Sequence, residues 1–442
     1  MKRLGITDVG VYQPRYGLEP AVSASVGGSG TLRFAAPDED ALTMSWEALS
    51  RLRQPLNVSE IILAAPLEGL EPRSFSAHLS ASGIVTGPKP ITTMHPQSEL
   101  ADVLLVSSRA CEGAIGIFVD RMRERDPLNA PTGDRAIALS FGEARIAEVA
   151  AHVSLPGLTY DRWQESDERA DRDPRFVEDR LIAHEGKDVL DLLRKEAPEN
   201  SQEMLGAVVS VGAKLKGARI AKQWGVPNVW IANPSATEPG DGRAGGLIFA
   251  LQQLAASGPG SSIALIDLGW GASGVLLVAG PNIAELAETH TTKEPTATYN
   301  MRTWLHEHRP AYTANPWTSG SELSREAPAL LGLVGSQCVA CQNIIFPSNK
   351  VCEHCGTFAL RPIRLERNGT VITQSIDELY GAPDATVQMV VVQLAGGGQF
   401  YGQAVQGLPY WLQIDEPCQL VFRRLHTGSG LPHYYWKVDT HG

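Results

Sequence analysis

An α/β fold built from two similar halves, followed by a four-cysteine metal ribbon and a small β-barrel, is the architecture this sequence predicts. Three observations predict it. Residues 1–280 alternate short apolar runs with helical stretches. Two segments within them, 132–153 and 258–280, resemble each other at a spacing of 127 residues. Further on, two Cys-x-x-Cys pairs stand ten residues apart, and five strand-like segments follow them.

In the α/β region, apolar runs at 61–65 and 115–119 flank a helical stretch at 99–110. The repeated segments read TGDRAIALSFGEARIAEVAAHV and GPGSSIALIDLGWGASGVLLVAG. Each places an apolar run, a glycine (Gly142 or Gly269) and a second apolar run after a turn, so each half is expected to finish with two strands joined tightly at glycine. Between the copies, 160–203 is dense in Asp, Glu and Arg and reads as a solvated helical insertion. From 282 to 330 the chain turns to Pro, Thr, Ser and isolated aromatics, a composition expected of a linker. Its aromatics Tyr299, Trp304, Tyr312 and Trp317 suggest a linker lying against a surface.

A chain of 442 residues exceeds the size at which one core keeps growing, roughly 250–300 residues. The expected division is 1–281 for the α/β domain, 282–330 for the linker, 331–365 for the ribbon and 366–442 for the barrel. Net charge is −11, of which −10 falls on residues 1–330; residues 331–442 carry 7 basic and 8 acidic side chains. A barrel without basic surplus is not expected to bind nucleic acid. The amino terminus lacks a secretory apolar run, and the most apolar segment, 263–280, is interrupted by Asp267 and glycines. A cytoplasmic protein without membrane association is expected. Six cysteines, four of them in one tight pattern, fit a reducing compartment and metal binding rather than disulfides.

The pairs are CVAC, 338–341, and CEHC, 352–355. Each turns two sulfurs inward on one knuckle, and two knuckles across a hairpin complete a tetrahedral thiolate shell that suits zinc. Cys338, Cys341, Cys352 and Cys355 are the expected ligands. With no open coordination position, the zinc is expected to be structural. A redox role would need a thioredoxin-like strand-to-helix setting, whereas QNIIFPSNKV bridges the pairs like a hairpin. His354 is expected to face solvent. The strand-like segments beyond are 368–376, 386–394, 400–408, 418–425 and 433–439, spaced as in a small barrel.

The stretch LVGSQCVACQNIIFPSNKVCEHCGTF followed by NGTVITQSI resembles the acyl-CoA-associated family in which a rubredoxin-like zinc ribbon precedes an OB-fold barrel, over about 331–442. That resemblance implies a scaffold that clasps thiolase-superfamily enzymes and helps accommodate acyl-CoA. Residues 1–280 in turn resemble the hydroxymethylglutaryl-CoA synthase branch of the thiolase superfamily. GITDVGVYQPRYGL is similar to its opening strand, PDEDALTMSWEAL to its first helix, and SIALIDLGWGASGVLLV to its final glycine-containing hairpin. The resemblance implies a duplicated thiolase-like fold.

Chemistry in that superfamily needs a cysteine thiolate to take the acyl group, and a His, with an Asn or second His, to activate the partner carbanion. The turn where the nucleophile belongs corresponds to PITTMHPQSEL, residues 90–100, and contains no cysteine. Cys111 falls at the end of the following helix, where a buried small residue is the usual need. The position of the family His maps onto VVSVGAKLKG near Ser210, a stretch without histidine, and Asn233 is the match to the family Asn. His95 stands alone at its turn, and Glu68 in the place of the synthase acid would have no acyl-cysteine to serve. No catalytic residue is therefore assigned. The resemblance implies a non-catalytic subunit of a thiolase-type complex, with a catalytic thiolase as partner and a CoA thioester as ligand or substrate of the complex. The alternative is an active synthase-type acyltransferase using Cys111 or another nucleophile.

Overall fold

A computed structural model describes residues 4–21, 32–53, 58–65, 70, 72–86, 91–93, 103–104, 106, 113–121, 133–156, 164–165, 168–169, 184–197, 204–209, 217–231, 243–268, 271–286, 297–299, 319–378, 386–428 and 431–440. The chain divides into two compact units that do not follow sequence order. Unit 1 takes residues 1–34, 48–67 and 89–300; unit 2 takes 301–442 together with 35–47 and 68–88. Those two early segments carry most of helix α1 (Ala41–Ser50) and all of helix α2 (Pro72–Ala81).

Unit 1 is built on a ten-stranded sheet of strands β1 (Leu4–Tyr12), β4 (Glu60–Ala64), β5 (Ile91–Thr93), β6 (Ala114–Asp120), β7 (Arg135–Glu143), β8 (Ala147–Pro156), β11 (Met204–Val209), β12 (Val229–Ile231), β13 (Ser262–Leu268) and β14 (Gly271–Ala279). Their order is β12-β11-β13-β14-β8-β1-β7-β6-β4-β5. Read outward from its centre, the sheet is one five-strand pattern used twice. In each half the first strand in sequence lies innermost and pairs antiparallel with the last, and the remaining three run parallel to one another. The expected two similar halves are present.

The equivalence of segments differs from the sequence expectation. β7 and β8 look like a hairpin, yet β1 enters between them and pairs with both. Residues 132–153 therefore hold the last strand of one half and the first of the next, whereas 258–280 hold two neighbouring strands of the second half. The counterparts by topology are β6 with β13 and β7 with β14. At the seam Gly5 faces Glu148 on β8, and a Cβ there would stand 2.3 Å from the carbonyl oxygen of Ala147. Only glycine permits that approach of two backbones.

β6 and β13 are buried along their whole length, as strands covered on both faces must be. Alternate residues feed two cores: Ile263 and Leu265 join one cluster with Leu247, Leu251 and Leu254 of helix α5 (Arg243–Ser257), and Ala264, Ile266 and Leu268 join the other. In that second cluster, Val189, Leu190 and Leu193 of helix α3 (Gly186–Glu196) pack beside Ile220 and Trp224 of α4 (Gly217–Trp224). α3 thus gives the charged region 160–203 a core helix with one apolar side, in addition to the short strands β9 (Gln164–Glu165) and β10 (Glu168–Arg169). Helix α5 (Arg243–Ser257) is capped from the other half: the Asp120 carboxylate accepts hydrogen bonds from the amides of Ala244 (3.2 Å) and Gly245 (2.9 Å).

The three-stranded sheet completing unit 1 has the order β15-β2-β3, with β2 (Tyr16–Leu18), β3 (Arg33–Phe34) and β15 (Ala297–Tyr299). Residues 282–330, expected as a linker, carry regular structure where they are described. Ile283 and Leu286 are buried, β15 adds a strand, and helix α6 (Gly320–Leu330) begins at Ser319, whose Oγ accepts from the amide of Glu322 at 3.3 Å. This Ser-x-x-Glu start satisfies helix donors that Pro- and Thr-rich composition conceals.

In unit 2, the ribbon strands β16 (Val334–Cys338), β17 (Ile344–Ile345) and β18 (Leu360–Arg364) have the order β17-β16-β18. The barrel strands are β19 (Asn368–Asp377), β20 (Val387–Leu394), β21 (Gln399–Gln403), β22 (Pro417–Gly428) and β23 (Leu431–Thr440), in the order β21-β20-β19-β22-β23. A parallel bridge from Ala404 to Val438 closes the ring. Val371, Val390, Val392, Phe400, Leu420 and Val438 fill its interior. The five strands expected after the ribbon are therefore present and form a barrel.

Candidate functional site

Two knuckles of the same design build the metal centre. In the first, the amide of Gln342 donates to the carbonyl of Cys338 (3.0 Å); in the second, Gly356 donates to Cys352 (2.8 Å). Gln342 and Gly356 both take positive φ, +61° and +74°, which reverses the chain so that both sulfurs of a pair face inward. A Cβ on Gly356 would touch nothing within 4 Å, so backbone conformation alone explains that glycine. The four Sγ atoms lie within 4.8 Å of one another, with Cys338–Cys355 and Cys341–Cys352 both at 3.6 Å. A tetrahedral ion with metal–sulfur bonds of about 2.3 Å sets sulfur–sulfur edges of about 3.8 Å, so the cage fits zinc. Hydrogen bonding from the Cys341 backbone, ahead of other contacts, lowers the Cys338 thiol to about 6. At Cys341 the backbone hydrogen bond of Asn343 is outweighed by burial and the neighbouring thiols, which push that thiol up to about 12, and Cys355 is raised as well. Among the described residues this is the one cluster of three or more metal-donor side chains.

The second constellation was not anticipated from sequence. It joins the barrel to residues 35–47. Lys437 Nζ lies 2.9 Å from Asp38 Oδ2, with both side chains 3% exposed. Arg423 reaches Glu47 at 2.7 Å and Glu39 at 3.5 Å, again with all three side chains at 9% exposure or less. Asp40 accepts from the Tyr434 hydroxyl at 2.8 Å and pairs with Arg424 at 3.5 Å. The Arg424 amide donates to the Asp38 carbonyl at 3.0 Å. Burial acts to raise the pKa of Asp38; Lys437 and Arg423 together outweigh it and hold the carboxyl below the usual carboxylate range. Asp40 also starts α1, its Oδ1 accepting from the Thr43 amide at 2.9 Å while Thr43 Oγ1 accepts from the Asp40 amide at 2.8 Å.

Apolar and aromatic packing surrounds these charges. Trp46 of α1 meets Trp436 edge-on at 5.5 Å and Phe422 at 6.3 Å, and the Arg367 guanidinium lies 4.9 Å from the Trp46 ring centre. Arg364 of the ribbon donates to the carbonyls of Ser82 (2.9 Å) and Ala81 (3.3 Å) at the end of α2. Gly83 follows at φ +77°, and a Cβ there would meet the Arg364 guanidinium at 2.1 Å. A cation on the terminal carbonyls of a helix is also well placed for its dipole.

Cys338, Cys341, Cys352 and Cys355 thus come together as the sequence predicts, and His354 is exposed outside the cluster. Cys418 is buried in the barrel, and burial pushes its thiol up to about 11. Glu68, His95, Cys111, Ser210 and Asn233 lie outside the described residues, as do Trp304, Tyr312 and Trp317. The signal for the missed constellation is the placement of Arg423 directly after Leu420-Val421-Phe422 and of Lys437 between Trp436 and Val438, since a cation set in an apolar run requires an acidic partner when buried.

The fold and the thiolate cage define the class of protein: a thiolase-like α/β domain and a zinc ribbon in one chain. The structure is similar to the hydroxymethylglutaryl (HMG) synthase of the curacin biosynthetic pathway, with a TM-score of 0.54, 12% identity, and coverage of 74% of this chain and 94% of that one. Residues 325–361 match the family model of the rubredoxin-like zinc ribbon domain of ChsH2. The chain is also 27% identical over 107 residues to a DUF35 domain-containing scaffold protein of Methanothermobacter thermautotrophicus, covering 23% of this chain and 79% of that protein. A scaffold protein of the same description from Methanocaldococcus jannaschii is 29% identical over 99 residues, covering 21% of this chain and 69% of its own length.

Proposed function

We propose that this chain is an accessory subunit of a thiolase-type acyl-CoA complex: a thiolase-like domain without its own acyl-accepting cysteine, carrying a scaffold ribbon and barrel in cis. One observation carries the reading. Residues 90–100, onto which the resemblance maps the superfamily's nucleophile, contain no cysteine, while the same chain bears a module similar to proteins described as scaffolds. A subunit of this kind contributes surface and position, and a catalytic thiolase supplies the nucleophile. The five-stranded barrel supports an OB-fold reading, and acyl-CoA is the ligand it would help accommodate for the complex.

Zinc, held by Cys338, Cys341, Cys352 and Cys355, fixes the ribbon as a rigid base; all four positions are taken by protein sulfur, so it would supply structure and no reaction step. The proposed organisation keeps 1–281 as the thiolase-like domain, 282–330 as the connection, 331–365 as the ribbon and 366–442 as the barrel. Residues 35–47 and 72–86 serve as the ground on which the barrel is seated. Reduced thiols fit a cytoplasmic site of action. Among the described residues, no helix is long and apolar enough to cross a membrane.

Mass spectrometry of the purified chain after incubation with acetyl-CoA tests the catalytic half of this reading. No acyl adduct is expected on any cysteine. A stable acyl group on Cys111 would overturn it in favour of a synthase-type acyltransferase.

A further inference from the structure

Residues 368–422, which hold β19, β20, β21 and the start of β22, contain no lysine, arginine or histidine, while the carboxylates of Asp377, Glu378, Asp384, Asp415 and Glu416 fall among them. Within this uniformly acidic stretch, the loop from β21 to β22 (404–416) is clamped along β19 at two points. At the first, the Asp415 amide donates to the Val371 carbonyl (2.8 Å) and the Val371 amide to the Glu416 carbonyl (3.0 Å). At the second, the side chain of Gln388, the register partner of Ile376, accepts from the Leu412 amide (3.0 Å) and donates to the Leu412 carbonyl (2.8 Å). Large apolar side chains flank both clamps: Ile372 and Ile376 on the strand, and Tyr410, Trp411 and Ile414 on the loop, each between 39% and 57% exposed. Single exposed apolar residues are ordinary, whereas five gathered along one strand and one loop mark an interaction surface.

The loop is held in shape without a partner. The Tyr410 hydroxyl donates to one oxygen of Glu416 (2.8 Å), and the Gln413 amide donates to the other (2.9 Å). Asp415 takes φ +68°, a conformation open to few residues besides glycine, Asn and Asp. Aromatic side chains already fixed in place lose little freedom when a partner covers them.

Charge selects the occupant. Glu378, Asp415 and Glu416 have no cationic partner among the described residues. A single nucleic-acid strand could stack bases on the aromatics, but its phosphates would meet carboxylates and find no cation. An anionic membrane surface meets the same repulsion. A second copy of the chain would set like carboxylates against each other across a two-fold axis. We propose that this face docks a peptide segment of a partner protein in which Arg or Lys flanks an aromatic or aliphatic anchor. The anchor covers Ile372, Ile376 and Ile414, while a guanidinium packs on the Trp411 or Tyr410 ring and pairs with a carboxylate of the rim. The proposal does not require the partner to be a thiolase, so it stands or fails separately from the accessory-subunit reading.

Selection from a displayed library of random peptides, panned on the full chain and counter-selected on the Trp411→Ala/Ile414→Ser variant, tests the proposal. Enriched peptides should carry Arg or Lys beside Trp, Phe, Leu or Ile. Their affinity, read by fluorescence anisotropy, should fall about tenfold or more in Trp411→Ala and in Glu378→Gln/Asp415→Asn, and should weaken as salt is raised. These variants change exposed groups, and unchanged circular dichroism and zinc content verify that they fold. No enrichment over the counter-selected chain, or enrichment of neutral or acidic peptides, would overturn the proposal. So would binding of a single-stranded oligonucleotide or of phosphatidylserine vesicles that Trp411→Ala abolishes, or self-association of the wild-type chain that is lost in the same variant.

Discussion

Asp38→Ala is the substitution that tests the barrel's seating most severely. It removes the carboxylate 2.9 Å from Lys437 and leaves an ammonium whose side chain is 3% exposed without its partner. Breaking a buried ion pair from one side costs about 3–5 kcal/mol, because the remaining charge stays desolvated. Arg423, the second cation near Asp38, adds like charge, and the nearby carboxylates of Glu39 and Glu47 are engaged with Arg423. At about 1.4 kcal/mol per tenfold change, exchange protection across β22, β23 and α1 should drop by roughly two to four orders of magnitude. Exchange is the suitable assay because it reports each region by itself, whereas nine tryptophans in a two-unit chain blur a fluorescence transition. The double variant Asp38→Leu/Lys437→Met should recover most of the loss, since apolar replacements of a buried pair are often neutral or stabilising. A drop of less than tenfold in Asp38→Ala, or a double variant as unprotected as the single, would refute the argument.

Three other perturbations test the metal centre, the sheet seam and the catalytic reading. Cys352→Ser removes one of four thiolates and should unfold the ribbon with loss of about one zinc per chain, measured by elemental analysis, because metal-binding energy in a small ribbon is folding energy. Gly5→Ala places a Cβ 2.3 Å from a backbone oxygen of β8 and should destabilise the seam of the ten-stranded sheet by roughly 1–3 kcal/mol, seen as lost exchange protection in β1 and β8. Cys111→Ala should leave the turnover of a reconstituted complex within about twofold; a hundredfold loss with folding intact, about 2.7 kcal/mol of transition-state stabilisation, would point to Cys111 as a nucleophile.

Cysteine spacing made the metal centre legible in the sequence, because two knuckles and a ten-residue hairpin are local features. The duplication was legible as well, but not its register. Residues 135–156 look like a hairpin from either side, and nothing local says that the first strand of the chain enters between β7 and β8. PDEDALTMSWEAL reads as a helix with an acidic start, and its residues alone do not say where those carboxylates go. They are buried against cations nearly 400 positions later, a pairing that no periodicity records. The catalytic question rests on residue type, since a segment 90–100 without cysteine cannot itself form an acyl-cysteine whatever its conformation.

Size-exclusion chromatography of this chain co-expressed with a thiolase encoded beside it tests the central claim most directly. The account predicts one hetero-oligomeric peak that holds both proteins at micromolar concentration, as an obligate-type interface burying upwards of roughly 2,000 Å² would give, with thiolysis activity confined to that peak. Separate elution of the two proteins, or condensing activity in the isolated chain, would contradict it.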